Sequence, residues 1–600
     1  MALAAGIALL ACGAGVPVPA VVSSSPPRSE SAVRSEPGAA PRQAPSAVPP
    51  SVAAPVLLSA RDLDAMVARL WDDAGVTPAA PADDAEFLRR VMLDVAGRVP
   101  TLAEAEGFLA AGGSDKRARL VDGALASADY AEHWADICVD LFIGRQFRKP
   151  RLQKRLDPRA YFVTAFRENR PFDRIAREML TFTGEIQPNG PGVFLASYLK
   201  GGGAETAAAV TARLFMGVQL SCAQCHDHPY DARYKQEDFY GLVAYFAGTK
   251  SRAQKRPGDD GGAAPDAGTN AAAPMVAARP ARSNDLDRIY SIADSNDGQG
   301  RGRKARFRKV GALEETAVAP RFFGRDVAPL PGETPRDALA RAVVDSDLFA
   351  KTMVGRTWAR LFGRGIVEPW DDLGGEGDPR HTPLLTRLAE DFRAGGFDVR
   401  RLVRMLVLSR AYGLTSRVAP VDAGDTANAA PPDVDPTSVF ARASVRRLTP
   451  EQLFRSLLVA TGADQMERKG AEDMDKKTER LMREALFVFG DDEMAEVDTF
   501  NGNIPQALLM FNGEIVNAGA QARAGGTLAA ILDRSSEPAT RLRSMFMAAY
   551  ARPPSPAERE RFLPTLSTLS TLPPGGGAAR AAYEDLFFAL VTSSEMQTIH

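Results

Sequence analysis

The chemistry in this sequence is concentrated in one short stretch, Cys222-Ala-Gln-Cys225-His226-Asp227-His228. The 600-residue chain has only four cysteines and five histidines. Two of each within seven residues is therefore a strong local signal. Cys-x-x-Cys-His is the spacing of covalent c-type haem attachment. On one helical turn both thiols can reach the porphyrin vinyl groups, and His226 then lies beneath the iron as proximal ligand. Haem iron held in this way carries one electron, with a potential set by axial ligation and burial. Such a site calls for an apolar cavity, on the order of several hundred cubic ångströms, beside His226; Cys222 and Cys225 facing a filled core or bare solvent, with no such cleft, would make haem improbable.

Other chemistries fit the same residues. Cys222, Cys225, His226 and His228, with Asp227 and Asp231 adjacent, offer soft and borderline ligands to zinc or another transition metal. A full Cys₂His₂ tetrahedron is strained in one tight loop, but three ligands are not. That reading requires two sulfurs and an imidazole nitrogen to converge within ~4 Å, because Zn–S bonds are ~2.3 Å. A redox dithiol, or an inert loop stapled by a Cys222–Cys225 disulfide, also satisfies the spacing. A sixth iron ligand would come from Met216, His228 or His133, or the iron is five-coordinate. His133 lies on an apolar helix face, where a lone histidine is more often a core residue.

The remaining reactive residues are scattered. Cys138 sits beside an apolar stripe and reads as a buried free thiol. His381 opens a helix, as a cap or packing residue. Asp371 and Asp372 suit a turn or a cation. Arg356, Arg360 and Arg364 follow at i, i+4, i+8, either lining an anionic site or pairing with the acidic residues around 368–376. The sequence contains no nucleophile elbow, P-loop, dinucleotide fingerprint or His-Glu-x-x-His.

These residues must be positioned by helices. Ser59 with Asp62 predicts an N-cap, followed by Leu63, Val67, Leu70 and Trp71 at helical spacing. Asp84 opens a helix ended by Gly97 and Pro100, and Thr101 with Glu104 forms a capping box for the next. Tyr130, Trp134, Ile137, Leu141 and Phe142 mark a buried stripe. Pro158 and Pro171 read as first helical residues. A helix from about Glu205 to Leu220 delivers the chain into the cysteine motif, and Phe239–Phe246 is helical again. Residues 251–283 are rich in Gly, Ala, Pro and Asp and read as a linker. Strand-like pieces such as Arg288–Tyr290 follow, then a basic run, Arg301–Lys309, read as a solvated face. Helices resume at Thr334, with Pro335 as first residue. They continue through 384–392, 399–409, 450–458, 541–550 and 581–593. No αβ alternation occurs, so a parallel sheet is not expected. The fold class is mainly α: two helical domains with a few short strands between them.

Six hundred residues exceed one core, and the composition is that of a globular chain, with 45% hydrophobic and 25% charged residues. A net charge of −2 does not point to nucleic acid as partner. At the N-terminus, Leu9-Leu10-Ala11-Cys12 closes an apolar run and resembles a bacterial lipobox. It implies cleavage before Cys12 and lipid on its thiol, although no Lys or Arg precedes the run as an export signal ordinarily has. Residues 1–12 are thus read as a lipoprotein signal and 13–55, rich in Pro, Ser and Ala, as a disordered tether. Export to the cell envelope or periplasm agrees with haem attachment, which in bacteria occurs outside the cytoplasm.

Two long motifs carry a family resemblance. Arg213-Leu-Phe-Met-Gly-Val-Gln-Leu-Ser-Cys-Ala-Gln-Cys-His-Asp-His-Pro-Tyr-Asp231, continuing to Gln236-Glu-Asp-Phe-Tyr-Gly241, closely resembles the planctomycete-type cytochrome-like domain, domain of unknown function fifteen forty-nine. Arg356-Thr-Trp-Ala-Arg-Leu-Phe-Gly-Arg-Gly-Ile-Val-Glu-Pro369, Ser409-Arg-Ala-Tyr412, Arg447-Leu-Thr-Pro-Glu-Gln-Leu453 and Ser593-Ser-Glu595 resemble its companion, number fifteen fifty-three. The resemblance spans residues 60–250 and 320–597. It implies boundaries at 56–250 for the cytochrome-like domain, 251–333 for the linker with short strands and 334–600 for the companion. Many relatives carry a separate cytochrome-c module, whereas this sequence has one Cys-x-x-Cys-His. The resulting expectation is an envelope-anchored haem c protein with a redox partner. The alternative is a non-haem metal-binding or structural protein that binds a cell-surface polymer or partner. The two halves are expected to act as one unit, with residues 356–381 nearer to Cys225 than the linker at 251–283.

Overall fold

Helix initiation follows the local capping chemistry. In the computed structural model Ser59 and Asp62 form a reciprocal capping box, as do Thr101 with Glu104, Thr334 with Asp337 and Thr449 with Gln452. Each satisfies backbone N–H groups that have no partner within the helix. The structure describes residues 57–144, 158–186, 190–255, 288–294, 304–309, 314–374, 378–418, 434–463, 465, 513–570 and 577–600. Cys12, the tether at 13–55 and most of the 251–283 linker lie outside them.

In the first half the helices are α1 (Ala60–Ala74), α2 (Asp84–Val91), α3 (Leu102–Ala110), α4 (Lys116–Ala126), α5 (Ala128–Phe142), α6 (Pro158–Arg167), α7 (Phe172–Thr181), α8 (Val193–Met216) and α9 (Gln236–Phe246). The second half carries α10 (Pro335–Asp345), α11 (Asp347–Phe362), α12 (Thr382–Ala394), α13 (Val399–Val407), α14 (Pro450–Thr461), α15 (Glu514–Gly519), α16 (Thr527–Arg534), α17 (Pro538–Tyr550), α18 (Pro556–Ser570) and α19 (Ala578–Thr592). No described helix is long and apolar enough to cross a membrane.

The fold is mainly α, and every strand pair described is antiparallel. β1 (Gly184–Glu185), β3 (Arg288–Asp294) and β2 (Thr249–Lys255) form one sheet in that order. β4 (Ala305–Phe307) pairs with β5 (Thr316–Val318), and β6 (Arg446–Arg447) with β7 (Thr598–Ile599). Strands are therefore not confined to the middle of the chain. In β4 the alternation is strict: Ala305 and Phe307 are buried, while Lys304, Arg306 and Arg308 are exposed. The described part of the basic run is thus a solvated strand face.

Two boundaries differ from the sequence reading. Pro171 is the N-cap of α7 rather than its first residue. α8 begins earlier, at Val193, with a non-helical break at Gly203, and stops at Met216 because Gly217 turns left-handed, with φ 60°. Leu220 therefore lies outside the helix.

Residues 55–600 form one compact unit. The larger apolar core draws Trp71 and Phe215 from the first half and Trp358 and Leu406 from the second. A second core joins Leu93 and Val99 to Leu453, Phe546 and Phe587. Buried polar groups stitch the same seam. The fully buried Arg89 donates to the carbonyls of Ala549 (3.1 Å), Glu595 (2.8 Å), Met596 (3.2 Å) and Thr598 (3.2 Å). Asp94 lies in the π-helical turn Met92–Ala96 and accepts from the Tyr412 hydroxyl and the Arg446 guanidinium, both at 2.7 Å.

Three histidines make this fold sensitive to mild acid. Burial depresses the pKa of His133, aided by Arg360 and Arg455. Burial also lowers His381, and brings His600 to about 4. The unfolded chain binds these protons near the ordinary histidine pKa of about 6.5, so stability rises with pH across the window between. Their contribution is complete above pH about 6.5 and is lost progressively below it, for His600 toward pH about 4, each unit of depression being worth about 1.4 kcal/mol. Carboxylates such as Glu558, held at about 2 first by the Arg552 guanidinium, lose their contribution only as pH falls below about 4.5. The urea midpoint should fall between pH 7 and pH 5; a midpoint constant over that range would contradict the burial of these rings.

Candidate functional site

The cysteine loop is built from the end of α8. Gly217 reverses the chain, and Ser221–Gln224 form a single 3₁₀ turn. Ala223 is the buried residue of that turn and anchors it, while Cys222 and Cys225 are free and exposed. The 3₁₀ geometry follows from i→i+3 pairing, seen in the Cys225 N–H donating to the Cys222 carbonyl at 3.3 Å. His226 follows directly and is also exposed.

The base of the loop is fixed from α9. The buried Gln236 side chain donates to the carbonyls of Gln224 (3.1 Å) and Cys225 (3.2 Å). The Tyr240 hydroxyl also reaches the Gln224 carbonyl, at 3.3 Å, and its ring stacks on Phe307 with centroids 4.5 Å apart. Asp227 accepts from the Gln236 N–H at 3.0 Å and so caps the first turn of α9. Asp231 is paired with Arg233 at 2.6 Å, which lowers its pKa.

The two loop histidines differ in the nitrogen they leave free. Nδ1 of His226 lies 2.7 Å from the Asp227 carbonyl, so in that hydrogen bond Nδ1 carries the proton and Nε2 is the acceptor nitrogen. Nδ1 of His228 accepts from the Asp231 N–H at 3.0 Å and faces that of Tyr230 at 3.4 Å, so its proton sits on Nε2. His226 thus presents Nε2 as its unprotonated nitrogen, while His228 staples its own turn. Among the described residues no three His, Cys, Asp or Glu side chains converge as a metal site. Asp227 and His228 are instead engaged by backbone N–H groups.

The other sequence candidates lie apart from one another. Met216 is fully buried. His133 is a core residue packed against Gly97, where a Cβ would approach its ring to 2.5 Å. Cys138 is a buried free thiol whose pKa burial pushes up. His381 occupies an N-cap position without a side-chain cap; its Nδ1 pairs with the Ile366 carbonyl at 3.0 Å and its ring meets Phe440. Asp372 closes a turn onto the Gly374 N–H, and Asp371 accepts from Gln219 at 3.2 Å. The three arginines do not share a site: Arg356 reaches the end of α8, Arg360 is half-buried near Asp140 and Asp94, and Arg364 is exposed. Gln236 and Tyr240 were missed as loop supports. Their only sequence signal was a place inside the Gln236–Gly241 motif.

The donor set fits a covalent haem: two accessible thiols on one turn and an imidazole with Nε2 free. The surroundings differ from expectation. Among the described residues the three side chains stand exposed rather than lining an apolar cavity, the arrangement that the sequence reading counts against haem. A cleft of about 250 Å³ opens elsewhere, by Asp64, Phe87, Arg117 and Arg410.

Residues 62–251 match the family PSCyt2, described as a protein of unknown function (DUF1549). Residues 335–566 match PSD1, also a protein of unknown function (DUF1553). No curated protein and no solved structure matches the chain.

Proposed function

We propose that this chain, in which a DUF1549 domain is followed by a DUF1553 domain, is a cell-envelope redox protein that carries a c-type haem on its cysteine loop. The observation that carries the reading is the pairing of two free, exposed thiols on one 3₁₀ turn with an adjacent His226 whose Nδ1 is already held by the Asp227 carbonyl. Cys222 and Cys225 supply the thioether sulfurs, and His226 supplies Nε2. When bound, haem contributes one-electron chemistry between ferric and ferrous iron.

The chain's own residues do the rest. Asp227 orients the imidazole through its carbonyl and fixes the loop to α9 through its carboxylate. Gln236 and Tyr240 hold the carbonyls of the turn, so the sulfurs keep their spacing. Surface exposure of the loop favours a low reduction potential and gives a protein partner direct access. The lipobox-like Leu9–Cys12 supports the reading of an exported, lipid-anchored carrier.

Periplasmic expression of the full chain with a haem-maturation system tests this reading. The expected product is pink, with a Soret band and haem staining that survives denaturation. A colourless product would overturn it, and zinc in that product would favour the non-haem metal reading.

A further inference from the structure

We propose that the DUF1553 half positions the haem-attachment loop, with Arg356 as the principal positioning residue and Asp371 as its surface counterpart. This deepens the reading of Cys222, Cys225 and His226 as the haem site and rests on it.

The last carbonyls of a helix have no donors within it; at the end of α8 the Gly217 N–H serves the Arg213 carbonyl at 3.1 Å. Arg356, buried on α11, donates to the carbonyls of Leu214 and of Arg213, the latter at 2.8 Å. A cation at a helix C-terminus also meets the negative end of the helix dipole. One residue past the helix, the Gly217 carbonyl accepts from the Leu373 N–H at 2.7 Å. Two residues further, Gln219 donates to Asp371. Gly217 has no room to move toward this segment: a Cβ there would lie 2.9 Å from Leu373 and 3.0 Å from the Thr352 hydroxyl. Residues 213, 214, 217 and 219 are thus each gripped by the second half, and Cys222 begins three residues later. Buried donors that lock a loop's supports set the geometry of its reactive groups.

The test uses the full chain with two substitutions, Arg356→Lys and Asp371→Ala. Lysine keeps the charge but cannot span two carbonyls. Asp371→Ala removes the partly buried Gln219 contact and the negative charge near Arg356, while leaving the Arg356 hydrogen bonds to α8 in place, so it decides the matter if Arg356→Lys does not fold. Iodoacetamide labelling of haem-free protein, resolved by mass spectrometry, gives the relative rates at Cys222 and Cys225. The midpoint potential of haem-loaded protein is the second readout. The expected result is a several-fold change in the labelling ratio and a shifted potential, with the urea midpoint of Asp371→Ala unchanged. A parental labelling ratio and potential in folded variants would overturn the proposal. Failure to load haem counts against the haem reading alone, because the labelling ratio is measured without it.

Discussion

Replacing Cys222 and Cys225 together by Ala should abolish haem that survives denaturation, while leaving the helical fold intact. Both side chains are exposed and free, and Ala223, not either cysteine, is the buried residue of the turn. Removing two surface thiols therefore costs little stability, since substitutions away from buried features stay within about ±0.5 kcal/mol. Each single variant should keep one thioether and a weakened stain. His226→Ala should retain covalent haem but lose its proximal ligand, seen as a changed Soret position. The check is a denaturing gel stained for haem beside circular dichroism of the same samples. Undiminished staining in the double variant would show that these sulfurs are not the attachment points.

The second large effect concerns the seam between the halves. Asp94→Ala should destabilise the protein by about 3–5 kcal/mol, because it strands a buried guanidinium. The Asp94 carboxylate is almost wholly buried and is shared by Arg446 and the Tyr412 hydroxyl. Tyr412→Phe should cost less, on the order of 1–2 kcal/mol, the loss of one hydrogen bond to a charged acceptor. Urea unfolding of the three proteins measures the difference. Equal midpoints for Asp94→Ala and the parent would contradict the assignment of this network to the folded core.

Helix positions were readable in the sequence because capping chemistry is local. Ser59 with Asp62, Thr101 with Glu104 and Pro335 after Thr334 each fix a start within four residues. The end of α8 was misread because Gly217 outweighs the apolar residues Val218 and Leu220 that follow it. The cysteine motif itself was legible from spacing, whereas its exposure was not: nothing in Cys-x-x-Cys-His says which side of the turn faces the core. The supports were harder still. Arg356 lies 142 residues from the Leu214 carbonyl it holds, and its i+4 spacing with Arg360 suggested a shared anionic site. Backbone carbonyls leave no trace in side-chain patterns, so their partners emerge only from the fold.

The expectation that the halves act together finds its physical basis in contacts across hundreds of residues. Leu373 meets Gly217, Arg89 meets the C-terminal carbonyls, and the Trp71 indole donates to the Val439 carbonyl at 3.0 Å. The described segment 356–374 abuts the residues that lead into Cys222, while most of the linker used for comparison lies outside the described residues.

The central claim is covalent haem on one loop, and peptide mass tests it most directly. Trypsin cleaves after Arg213 and Arg233, releasing Leu214–Arg233 with both cysteines and His226. From protein matured in the periplasm, this peptide should carry the mass of one haem and offer no free thiol to alkylation. The same peptide at its unmodified mass, with both cysteines alkylated or joined as a disulfide, would contradict the account.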